Sequence, residues 1–283
     1  MNFALGWLLV PWLLAQDAAV LSQRAAAAMR GQRFDEAEKL YRQLVALEPS
    51  NPMWRMNLGL ALHSSGRFSQ AISELEVYLQ ARPQPGPVHL VLGAAYLKLR
   101  QPCQAIAPLE KAMQWNKSQT ELELADAYYG CKRFEAAARA YEAASRSSRR
   151  KDIARQAAHC YWQARRYEEA RRLFQTLETE YWRQAEFQYE YGDVLARLDG
   201  PEEGLPYLRR AVEANPKLTA ARGELGKALL ALGDAAQATP HLEAASQQDV
   251  SLLLPLSRAY RALGRLADAD RTLQQYRSQV TTK

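Results

Sequence analysis

Residues 51–83 read NPMWRMNLGLALHSSGRFSQAISELEVYLQARP, and this stretch decides the fold. Gly59 is followed three residues later by bulky Leu62, and twelve residues on Ala71 is followed four residues later by Leu75. Spacings of three and four put side chains on one face of an α-helix, so each segment carries a small-then-large stripe. Gly66 lies between the two segments, where a left-handed turn favours glycine, and Pro83 closes the second one. The stretch therefore reads as two amphipathic helices folded back on each other at Gly66.

The pattern recurs in phase. Ala37, Ala71, Ala105, Ala137, Ala170, Gly204, Ala238 and Ala269 are separated by 34, 34, 32, 33, 34, 34 and 31 residues. Four residues after them stand Tyr41, Leu75, Leu109, Tyr141, Phe174, Leu208, Leu242 and Leu273. Twelve residues before them stand Ala25, Gly59, Gly93, Ala125, Ala158, Gly192, Gly226 and Ser257. Glycine inside a helix costs about 1 kcal/mol relative to alanine, so its return at one phase signals close helix packing. No stretch shows sustained strand alternation, and the expected class is all-α.

A helix–turn–helix unit of about 34 residues with these small, aromatic and proline positions resembles the tetratricopeptide repeat. In residues 51–83 the likeness is carried by Trp54, Leu58, Gly59, Gly66, Phe68, Ala71 and Pro83. It implies a right-handed superhelical solenoid of about eight repeats, near 18–51, 52–85, 86–117, 118–150, 151–184, 185–218, 219–249 and 250–283. Some units depart from the pattern. Pro102 and Pro201 replace the aromatic that opens the second helix, and Arg24 stands where an apolar residue is expected.

In that family the first helix of each unit lines a concave wall that takes extended peptides or helices of partner proteins. Projecting the register gives Met53, Met56, Asn57, Leu60 and Lys98 as candidate contacts in units two and three, with His63, Leu90, Val91 and Leu97 beside them. Units four to six offer Asp126, Tyr129, Arg155, His159, Trp162, Tyr189, Asp193 and Arg197, and the last two units add Lys227, Arg258 and Arg261. Aromatic and arginine side chains together have the chemistry of interface hot spots. One chaperone-binding subclass uses a two-carboxylate clamp of Lys, Asn and Arg on three successive units. Here Ser22 and Ala26 hold two of its places and only Asn57 matches, which argues against a grip on a chaperone C-terminus.

Composition bounds the function. The 283 residues are 48% apolar and 24% charged with a net charge of +6, so an anionic partner is permitted and not demanded. Three Cys make no disulfide framework, and four His leave little room for a metal cluster. Between Lys132 and Arg172, twelve basic residues face five acidic ones. The run from Arg146 to Lys151 reads first as a solvated turn; an anionic membrane surface or an acidic partner comes next, and nucleic acid last, for want of a nucleic-acid motif.

Cys103 and Cys131 fall at helix ends that adjacent units place on one side, and a disulfide and two free thiols both remain open. Gly223 to Ala228 (GELGKA) falls short of a phosphate loop, with Ala221 and Ala228 at required Gly and Ser/Thr positions. No catalytic triad, metal site, cofactor site or small-molecule substrate is indicated.

Phe3 to Ala15 is an apolar run of thirteen residues, short of the roughly twenty that span a bilayer. With Leu13, Leu14 and Ala15 before Gln16, residues 1–15 read as a bacterial signal peptide, the alternative being an apolar first helix packed on the domain. The expected protein is an exported, periplasmic or envelope-associated scaffold, cytoplasmic if the run is no signal. It would be a non-catalytic scaffold binding a partner segment; the second reading is an accessory or regulatory subunit of envelope-assembly, secretion or polysaccharide-export machinery.

Overall fold

A computed structural model describes the backbone of residues 6–82 and 86–281, and their side chains except those of 6–16, 118, 119 and 281. Pro83 and residues 1–5 of the expected signal lie outside the described residues, as do the side chains of 6–15. The elements are α1 (Gly6–Arg30), α2 (Phe34–Leu47), α3 (Pro52–Ser64), α4 (Phe68–Ala81), α5 (Gly86–Lys98), α6 (Pro102–Met113), α7 (Lys117–Gly130) and α8 (Phe134–Ser148). They continue as α9 (Lys151–Gln163), α10 (Tyr167–Tyr181), α11 (Ala185–Leu198), α12 (Pro201–Ala214), α13 (Thr219–Ala231) and α14 (Ala235–Ser246). A 3₁₀ turn at Val250–Leu252 leads into α15 (Leu253–Ala262), and α16 (Leu266–Thr281) ends the series. No strand occurs among the described residues, and the all-α hairpin repeat is the architecture expected. α1 starts at Gly6, so part of the apolar run continues the first helix.

The helices group into two compact units, 1–147 and 148–283. Within each, neighbours in the chain form hairpins, as in α3–α4, α5–α6, α11–α12 and α13–α14. First helices of successive hairpins also touch, α3–α5–α7 in one unit and α9–α11–α13–α15 in the other. The first unit has a core that includes Ala25, Ala37, Leu44, Leu58, Leu62 and Ala71. The second has one built on Leu208, Leu225, Leu229, Leu242 and Leu256. An edge-to-face aromatic series runs from Phe174 through Phe187 and Tyr191 to Tyr207.

Seven hairpin turns share one backbone device, the α11–α12 turn with Gly200 and Pro201 being built differently. The second residue past the first helix is left-handed, and the next N–H donates back to a carbonyl five residues earlier: Arg67 N to Leu62 O at 2.8 Å, Arg133 N to Tyr128 O at 2.9 Å, Arg265 N to Tyr260 O at 2.9 Å. This satisfies the carbonyls that a helix end leaves open. Gly66, Gly233 and Gly264 supply the left-handed residue at three turns, while Gln32, Arg100, Lys132 and Arg165 supply it at four others with φ of 56–58°. Small residues inside the hairpins serve close approach. A Cβ on Gly204 would lie 2.4 Å from the carbonyl oxygen of Gly192, and one on Gly59 2.6 Å from the Leu75 side chain.

Two further joints link successive hairpins. Tyr96, Tyr128 and Tyr260 each donate a hydrogen bond to a glutamate on the preceding second helix, Glu76, Glu110 and Glu243, at 2.5, 2.6 and 2.6 Å. Burial first, and the carboxylate second, push all three phenols up to about 12. Cys103, in the first turn of α6, is disulfide-bonded to Cys131, just past α7, with Cα atoms 5.0 Å apart. Cys160 is buried, at 1% exposure.

Candidate partner-binding site

In the second unit, α9 presents Arg155, His159 and Trp162 at spacings of four and three, and α11 presents Tyr189, Glu190, Asp193 and Arg197. Helical periodicity puts each set on one face, and the contact between α9 and α11 brings the two faces together. Arg155 Nη1 pairs with Glu190 Oε2 at 2.7 Å, and His159 Nδ1 lies 2.9 Å from Glu190 Oε1. An ionised carboxylate only accepts, so Nδ1 carries the proton. Trp162 Nε1 donates to Asp193 Oδ2 at 2.7 Å, and Arg197 Nε donates to both Asp193 oxygens at 2.9 Å. Trp162 also meets Tyr189 edge to face at 5.5 Å and His159 at 5.6 Å.

Burial differs sharply within this set. Asp193, projected onto the open wall, is only 4% exposed, and Glu190 is 5% exposed. The Arg155 guanidinium lies 5.5 Å from the Phe174 and Phe187 ring centres. Arg197 is half open to solvent, stacked 5.4 Å over Tyr167, and Asp193 raises its pKa by hydrogen bonding. Burial above all, with Asp193, Glu224 and Glu190 behind it, pushes the Tyr189 phenol well up. The buried carboxylates thus already hold internal partners. What the face offers a ligand is the Trp162–Tyr189 aromatic surface and the Arg197 head, with Lys227, paired to Glu224 at 2.6 Å, on the neighbouring α13. Arg258 and Arg261 on α15 are exposed, and Arg261 reaches Asp270 at 3.2 Å.

The first-unit candidates do not form one network. Met53 is 42% exposed, with its sulfur 4.0 Å from the Tyr78 hydroxyl, and Met56 packs on the cluster of Ile72, Leu75 and Val88. Asn57 and Leu60 are half-buried. His63 sits edge-on to Phe68 at 5.4 Å, and burial first and Lys98 second hold its imidazole below the usual range. Lys98 is exposed. Asp126 accepts from the Tyr141 hydroxyl at 2.5 Å, and exposed Tyr129 meets Phe134 at 5.9 Å.

The buried anchors Glu190 and Gln188 escape a reading by family register. Gln188 Nε2 donates to the Trp182 carbonyl at 2.6 Å. One numerical signal is present in the sequence: His159–Glu190 and Trp162–Asp193 both span 31 residues, placing an acid under each polar position of the preceding first helix. In the basic stretch, Arg139, Arg146, Arg150, Lys151, Arg155, Arg166 and Arg171 all pair with carboxylates, so much of its charge is spent inside the fold.

A family model described as the tetratricopeptide repeat matches residues 23–84, 122–185, 155–219 and 189–250. The Hsp70-Hsp90 organizing protein of Triticum aestivum is 34% identical over 103 residues, 36% of this chain and 18% of that relative's length. The chain thus spans less than a fifth of it. Among solved structures, Naa15/Naa10 bound to HypK-THB aligns over 87% of this chain and 39% of its own, at 15% identity and a TM-score of 0.60. The APC/C hetero-tetramer Cut9-Hcn1 aligns over 90% and 52%, at 16% identity and a TM-score of 0.51. At such identities these two speak for the fold alone.

Proposed function

The chain belongs to the tetratricopeptide repeat family, and from that membership we propose that it is a non-catalytic scaffold that docks a segment of a partner protein on the α9–α11 face. The carrying observation is the Trp162–Tyr189 pair beside the half-open Arg197, set on the Asp193 carboxylate, which accepts from both Trp162 and Arg197. Rigid aromatic and arginine groups fixed from below lose little entropy on binding, which is the condition for an interface hot spot. The His159 imidazole is committed to Glu190 through Nδ1, an orienting contact between helices.

Affinity capture of partners from the source organism, compared between the native chain and Trp162→Ala, tests the reading. Capture should fall by about tenfold or more while the helical melting curve keeps its shape. Undiminished capture by Trp162→Ala would overturn it.

Export, which both the scaffold and the accessory-subunit readings share, is supported by the Cys103–Cys131 disulfide, since such bonds persist in oxidising compartments. With the apolar run at Phe3 to Ala15, the bond supports an exported, envelope-associated protein. N-terminal sequencing of native material tests this. A start after Ala15 is expected, and soluble cytosolic chain beginning at Met1 would exclude export.

A further inference from the structure

We propose that Arg209, Arg222 and His241 form a binding site for a compact oxyanion, a carboxylate or phosphate group, where α12, α13 and α14 meet. The argument comes from an internal duplicate. In the first unit, Arg42 Nη2 donates to Gln70 Oε1 at 2.7 Å, and Arg55 Nη1 pairs with Glu74 Oε2 at 2.9 Å. Moving each of these positions 167 residues along the chain gives Arg209, Gln237, Arg222 and His241. The first contact is repeated, Arg209 Nη2 to Gln237 Oε1 at 2.9 Å. The second is not, because an imidazole stands where the first unit has its carboxylate.

Arg42 also pairs with Glu38 at 2.9 Å, and Leu205 stands at that place in the second unit, which therefore keeps the two guanidiniums and lacks both carboxylates. Gln237 and His241 are one turn apart on α14, so Arg209, held by Gln237, lies on the same side as His241. No carboxylate ion-pairs with Arg209 or Arg222 among the described residues, and Arg222 Nε is buried without a hydrogen-bond acceptor. Arg222 also sits in the first turn of α13, where the helix dipole disfavours a cation, and the N-cap Leu218 supplies no side-chain cap. Burial first, then the charges of Arg222 and Arg209, hold the His241 imidazole below its usual range. An oxyanion would supply charge-assisted acceptors to Arg222 and His241, which are partly buried, and to the exposed Arg209 head that Gln237 holds beside them. None of these residues belongs to the α9–α11 face, so the site stands independently of the docking reading.

Titrating the full chain with sodium phosphate and, separately, with a tetraglutamate peptide reads the site through the His241 imidazole resonance and the melting temperature. Both probes should shift the resonance and raise the melting temperature, and the tighter one separates a free oxyanion from a protein-borne carboxylate. Arg222→Gln should weaken binding about tenfold or more. His241→Glu, which restores the counterpart of the Arg55–Glu74 pair, should abolish binding and raise the ligand-free melting temperature. The proposal is overturned if neither probe moves the His241 resonance, or if His241→Glu binds phosphate as well as the native chain.

Discussion

Lys132 shows how much a single backbone position can cost. It holds a left-handed conformation at φ 58° in a turn where Gly66, Gly233 and Gly264 occupy the same register. A left-handed residue with a Cβ costs about 1–2 kcal/mol. Glycine gives back roughly 0.4–1 kcal/mol of this through the freer unfolded chain. Lys132→Gly should therefore stabilise the protein by about 0.5–1 kcal/mol, seen as a higher urea midpoint at unchanged slope. Arg155 teaches the opposite lesson. It looks like a ligand contact in sequence, yet its guanidinium is packed near two phenylalanine rings and paired with buried Glu190. Charge reversal there would place two carboxylates together in the core, so it tests folding rather than binding.

Between elements, the recurring joint is a tyrosine of one first helix reaching a glutamate of the preceding second helix. The Tyr96, Tyr128 and Tyr260 phenols titrate at about 12 in the fold, against about 10 in an unfolded chain. The raised folded value means their stabilisation is whole below pH 10 and is lost as pH rises from 10 to 12. Alkaline titration followed by circular dichroism should show unfolding in that window, and the triple change of these tyrosines to Phe should flatten it. The Cys103–Cys131 bond closes a sequence separation of 28 residues between α6 and α7. Reduction should lower stability by about 2–4 kcal/mol, measurable by denaturant unfolding with and without a thiol reductant.

For the molecule as a whole, net charge is a poor guide to partners. The chain carries +6, but seven cations of the Lys132–Arg172 stretch are held by carboxylates. Counterion release requires free cations, so heparin retention should be weak, with a logarithmic salt slope of about −2 or shallower. A slope of about −6 would point to a polyanion surface formed by other residues.

The hairpin repeat was legible in the sequence because its causes are local. Helical periodicity, a small residue facing a large one and a turn glycine all act within some 34 residues. The spacing of Gly59 and Leu75 about the turn at Gly66 is enough to pair their two helices. The candidate face was legible only in outline: the register named Arg155, His159, Trp162, Tyr189, Asp193 and Arg197, but not which were open to a ligand. That depends on the neighbouring helix. Glu190 and Asp193 are sealed because α9 lays Arg155, His159 and Trp162 over them from 31 to 35 residues away, and the absent carboxylate beside Arg222 is visible only when the second unit is laid on the first. Sequence determined the paired helices, since short-range packing specifies them; tertiary structure alone decided which polar groups satisfy one another and which remain available, since desolvation is set by the neighbours that packing supplies.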